Sequence, residues 1–88
     1  EFVNSYSMVV YPVPATSYAL LEINARKSAN MDLRMVDVSG KVEYVQKLVL
    51  SQGINRVELD VSKYAVGTHF IQLFHQGKNA AYFKLQIQ

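Results

Sequence analysis

Apolar residues in this chain recur at every second position, and that periodicity leaves an extended strand as the regular structure that can bury them together. Val57, Leu59 and Val61 alternate without interruption with Arg56, Glu58 and Asp60. One side of such a segment faces a core and the other faces water. Leu21, Ile23 and Ala25 repeat the pattern against Glu22 and Asn24, with Leu20 as an exception. The dominant period is thus two, not the 3.6 of an amphipathic helix.

Gly, Pro, Asn and Ser clusters divide the chain into seven predicted strands, at residues 7–11, 18–25, 31–38, 42–50, 54–61, 68–76 and 80–87. Pro12-Val13-Pro14 lacks two of its three backbone N–H groups, so it must leave the sheet as a stiff, exposed corner. Ser39-Gly40 and Gln52-Gly53 mark turns, residues 62–67 connect the fifth strand to the sixth, and residues 76–79 form the last hairpin. Gly40 is expected at positive φ because it ends a tight connection, and Gly67 is expected at a turn position. In the third strand Leu33 and Met35 share one face while Val36 and Val38 share the other, which predicts a bulge or twist at Met35-Val36.

The last hairpin admits two registers. A loop at Gly77-Lys78 sets Phe70 and Phe74 against the Phe83 and Leu85 face, whereas a one-residue change sets Ile71 and Leu73 there. Seven short strands with regular turns predict an all-β fold, a seven-stranded antiparallel immunoglobulin-like β-sandwich. Its expected core is Leu21, Ile23, Leu33, Met35, Val57, Leu59 and Val61.

With 88 residues, half of them hydrophobic, the chain suits one domain with one core. No cysteine is present, so burial and backbone pairing must hold the fold. Nine basic residues against seven acidic ones leave a charge of +2, and the basic ones are dispersed, which argues against a nucleic-acid surface. No apolar run reaches the roughly 20 residues of a membrane-spanning helix. Residues 1–7 are expected to be a linker or cloning remnant, and residues 8–88 the domain.

Residues for chemistry are sparse. His69 and His75 fall on one face of one strand, roughly 20 Å apart at the usual rise, so they cannot share a metal. Asp32, Asp37, Glu43, Glu58 and Asp60 form no local motif, and the four glycines stand singly at turns. No catalytic residue, cofactor or metal is therefore expected, and the chain reads as a non-enzyme. Tyr44, Tyr64, Tyr82, Phe70, Phe74 and Phe83 could form an aromatic platform for a glycan or peptide, but core and cross-strand packing is the commoner use of such residues.

In order, YPVPA at residues 11–15, MVDVSGK at 35–41, QGINRVELDVSKYAVGTHFIQL at 52–73 and QGKNAAYFKLQIQ at 76–88 resemble the type A C-terminal sorting domain of the Bacteroidetes type IX secretion system. Their order and spacing carry the resemblance. Val13 departs from the family's usual Asn, His69 stands where Tyr is common, and Gln88 replaces a frequent basic residue.

The resemblance implies a secretion signal that directs its parent protein across the outer membrane. It implies the type IX machinery and a sortase-like surface peptidase as partners, with a weak dimer also allowed. It implies transit through the periplasm to the cell surface or medium, with cleavage of the domain and release of the cargo or its attachment to lipopolysaccharide. By the same resemblance, Lys84, Leu85, Gln86, Ile87 and Gln88 are expected to carry recognition, the terminal strand offering an edge to a receptor. Pro12, Pro14, Asp37, Gly40, Lys41 and Gly67 match the family's structural motifs. The alternative is an immunoglobulin-like accessory or glycan-binding module of a secreted enzyme, and a strand-exchanging adhesin module is a weaker third.

Overall fold

The computed structural model of the protein describes residues 6–12 and 14–88. Seven strands follow one another: β1 Tyr6–Tyr11, β2 Tyr18–Ala25, β3 Ala29–Asp37, β4 Val42–Leu50, β5 Gly53–Asp60, β6 Gly67–His75 and β7 Lys78–Ile87. All strand pairings are antiparallel. One sheet has the order β1-β2-β5 and the other β4-β3-β6-β7. Leu21, Ile23 and Leu59 of the first sheet share one core with Leu33, Met35, Ile71, Leu73 and Leu85 of the second.

Six of the expected core residues are buried; the seventh, Val57, is half-covered and packs against the core. Val57 lies on β5, an edge strand of its sheet. β1 begins at Tyr6, two residues before the boundary expected at Met8. Tyr6 is 7 % exposed. Its ring meets His75 edge-on at 5.8 Å, so the pair belongs to the folded unit and not to a linker. Residues 1–5 lie outside the described residues.

The phase change at Met35-Val36 is a register shift, but the extra residue belongs to β4. Met35 pairs with Tyr44 and Val36 with Val42, which leaves Glu43 unopposed. Both Met35 and Val36 are buried, whereas Val38, expected in the third strand, lies past its end and is exposed.

In the last hairpin the turn residues are Gln76 and Gly77, with φ of 53° and 79°, and His75 pairs with Lys78. Positive φ at both central residues matches the twist of the flanking strands, so the loop closes one residue earlier than Gly77-Lys78. A bulge at Ala80 follows, since Leu73 pairs with Ala81 and Phe74 with Asn79. Ile71 and Leu73 thereby point into the core and Phe70 and Phe74 fall on the outer face.

Candidate functional site

The pleat divides the expected recognition residues between two faces. Leu85 and Ile87 are buried, Lys84 is exposed and Gln86 is half-buried on the outer face, where its Oε1 accepts a hydrogen bond from Thr68 Oγ1 at 3.0 Å. Gln88 follows the end of β7 and is exposed.

The edge of β7 is also partly taken. Ala15 N–H donates to the Gln86 carbonyl at 2.9 Å, and Gln88 N–H donates to the Ala15 carbonyl at 2.8 Å. These bonds form a parallel bridge between Ala15 and Ile87. Ala15 is fully buried, while Pro12 and Pro14 are exposed. Prolines have no N–H to give a ladder, which fits the contact to Ala15. Val13, the departure from the family's usual Asn, lies outside the described residues. β1 runs close beside β7 upstream of the bridge. The end of the terminal strand is therefore clasped by its own chain and is not an open template.

Asp37, Gly40 and Lys41 build one turn. Asp37 Oδ1 accepts from Ser39 N–H at 2.9 Å, Ser39 Oγ at 2.6 Å and Lys41 N–H at 3.0 Å. Those bonds, the Ser39 hydroxyl first, hold the Asp37 carboxyl below its usual value. Gly40 closes the turn by donating to the Asp37 carbonyl at 3.0 Å, at a φ of 89° that a side chain would strain. Lys41 supplies a backbone group here, and its side chain is exposed. Gly67, at φ 137°, opens β6 opposite Ile87.

The outer face of the four-stranded sheet carries an unusual set of side chains. Its middle rows, read across the sheet, are Val45, Arg34, Gln72 and Tyr82, then Val42, Val36, Phe70 and Lys84. The Arg34 guanidinium lies 4.1 Å from the centre of the Phe74 ring, and Phe70 and Tyr82 pack with ring centres 5.9 Å apart. The expected aromatic platform is thus divided. Phe70, Phe74 and Tyr82 share this face, while Tyr44, Tyr64 and Phe83 pack against the core.

His69 is 3 % exposed. Its Nδ1 lies 2.5 Å from Glu43 Oε1 and its Nε2 lies 2.7 Å from the Ala65 carbonyl. A carbonyl only accepts, so Nε2 donates to it, and the ring ties the β5-to-β6 connection to the core. His69 shares the strand phase of Ile71 and Leu73, so the register that sends those two into the core buries it as well. Glu43 and Ala15 carry no such signal, because a bulge and a loop bring them into place.

Among the described residues no group of three or more His, Asp or Glu could hold a metal ion. Among the described residues no helix is long and apolar enough to cross a membrane. A cleft of about 240 Å³ opens between Met35, Tyr44, Leu59, Asp60 and Tyr64 at the β4 and β5 side, but Asp60 is engaged there in its own turn, accepting from Ser62 N–H and Oγ.

Comparisons with known proteins agree with this architecture. The domain superposes on part of dimeric latent PorU from Porphyromonas gingivalis with a TM-score of 0.72 at 15% identity, covering 93% of this chain and 9% of that one. It also superposes on part of a β-glucosidase from Listeria innocua, solved with glucose, with a TM-score of 0.52 at 11% identity, covering 93% of this chain and 16% of that one. A Bifidobacterium adolescentis GH3 β-glucosidase gives 0.51 at 8% identity, covering 94% of this chain and 17% of that one. At these identities the likeness is one of fold, and the chain spans under a fifth of the length of each. No curated protein sequence matches it. The model of the secretion system C-terminal sorting domain matches residues 9–88. The chain belongs to that family, the C-terminal sorting domains of type IX secretion.

Proposed function

We propose that the domain is read as a folded unit in the periplasm, through the terminal strand β7, before its parent protein crosses the outer membrane. A sortase-like surface peptidase then removes it, and the cargo is released or attached to an anionic lipopolysaccharide. Family membership over residues 9–88 carries this reading. The burial of Leu85 and Ile87 and the Ala15 clasp support recognition of the folded state, because residues 84–88 take this geometry only once both sheets have formed.

A passive reporter with a signal peptide, fused to the 88-residue chain in a type IX-competent host, should reach the surface or medium. It should stay in the periplasm of a strain without the machinery. Lys84→Ala should impair export while the domain remains folded. A folded fusion that stays in the periplasm of the competent host would overturn this reading and favour an accessory module of a secreted enzyme.

A further inference from the structure

The outer face of the four-stranded sheet combines apolar side chains with a central cation. Val45 and Tyr82 are 57 % and 62 % exposed, and they flank the row that holds Arg34 and Gln72. Phe70 and Phe74 complete the patch. Three strand spacings of about 4.8 Å make such a face about 14 Å wide between its outer strands, enough to seat a partner's strand or helix. Tyr, Phe and Arg are the residues that dominate the buried centres of protein interfaces.

Charge distinguishes this patch further. The ion pairs among the described residues join Lys47 to Asp32, Arg56 to Glu22 and His69 to Glu43, so among the described residues neither Arg34 nor Lys84 has a carboxylate partner. Residues 67–88, the whole β6 and β7 hairpin, contain no Asp or Glu. Arg34 sets its guanidinium carbon over the Phe74 ring, and a guanidinium so placed still has N–H groups to offer an acceptor. Backbone pairing at the end of β7 is already taken by Ala15.

From this geometry we infer that the outer face of the sheet, centred on Arg34 and Tyr82, docks a partner protein that presents a carboxylate within a collar of apolar side chains. This rests on the reading of β7 as the recognised strand, and it assigns the contact to outward side chains in place of a backbone edge. A second copy of the chain is a poorer occupant, since a two-fold contact centred here sets Arg34 against Arg34.

The test uses the reporter fused to the 88-residue chain, in the competent host, with folding of each variant checked by circular dichroism and thermal melting. Arg34→Glu and Tyr82→Ala should each lower export by roughly tenfold while the domain stays folded, and Arg34→Lys should restore much of it. Lys27→Glu, in the loop after β2, should leave export unchanged. Should Arg34→Glu unfold the domain, Tyr82→Ala and Lys84→Glu carry the test, because both side chains are exposed. A photo-crosslinker at Tyr82 should map to a partner segment with an Asp or Glu between apolar residues, and reversing that charge should restore export of Arg34→Glu. Folded variants exported at the parent's rate, or a crosslink that maps to a second copy of this domain, would overturn the inference and leave the sorting function standing. Failure of the unaltered fusion to leave the periplasm would instead sink the sorting function.

Discussion

Glu43 and His69 meet 2.5 Å apart between the bulge of β4 and the inner face of β6. His69 Nε2 donates to the Ala65 carbonyl, so both ring nitrogens of this buried side chain are engaged. The bulge is what turns Glu43 toward this histidine, so a local irregularity of the sheet anchors the connection that precedes β6.

Glu43→Gln should therefore cost little, since its amide can donate to Nδ1. Glu43→Ala leaves that nitrogen without its partner and should cost about 1–3 kcal/mol. His69→Phe strands both Glu43 and the Ala65 carbonyl and should cost at least as much. Urea unfolding midpoints rank the three. Equal stability of His69→Phe and the parent would show that the ring does not hold the connection.

Acid should weaken the fold through its turns. Asp37 and Asp60 are both held below the usual carboxylate value, chiefly by the hydroxyls of Ser39 and Ser62. A depressed folded pKa contributes stability that is fully present above the unfolded value and is lost as pH falls through the folded one. Asp37→Asn should lower the unfolding midpoint at neutral pH, and the gap to the parent should close as pH drops below the ordinary carboxylate range. A gap that persists at the lowest pH would point to lost turn geometry instead of lost charge. Both groups are solvent-exposed, so the change should be modest and should shrink with added salt.

Gln76 sits at φ 53°, a conformation that favours Gly and Asn. Gln76→Gly or Gln76→Asn should stabilise the hairpin by about 1 kcal/mol, read from thermal melts. A loss of stability would mean that the Gln76 side chain makes a contact outweighing the backbone strain.

Ala15→Pro removes the donor to the Gln86 carbonyl while leaving the Ala15 carbonyl as an acceptor. Amide exchange should rise at Gln88 and stay slow at Ile71 and Leu73, because the clasp lies at the end of the sheet and the core does not depend on it. Global acceleration of exchange would show that the clasp is part of the cooperative unit.

Periodicity in the sequence located all seven strands, because a pleated strand must alternate and because Gly, Pro and polar clusters break that alternation. The ordered motifs from Tyr11 onward carried the family. Turn chemistry was legible as well: Asp37 and Gly40 act within five residues of each other, and such local bonds do not depend on the rest of the fold. Tertiary structure decided what periodicity leaves degenerate. The register of the last hairpin turned on a two-residue loop and the bulge at Ala80, so whether Ile71 or Phe70 entered the core depended on packing between sheets. Ala15 reaches β7 across some 70 residues of chain by the numbering. Arg34, Phe74 and Tyr82 become one surface only when β3, β6 and β7 lie side by side. A sequence pattern records which residues share a strand face, whereas neighbours across strands are chosen by the burial and hydrogen bonding of the whole sandwich.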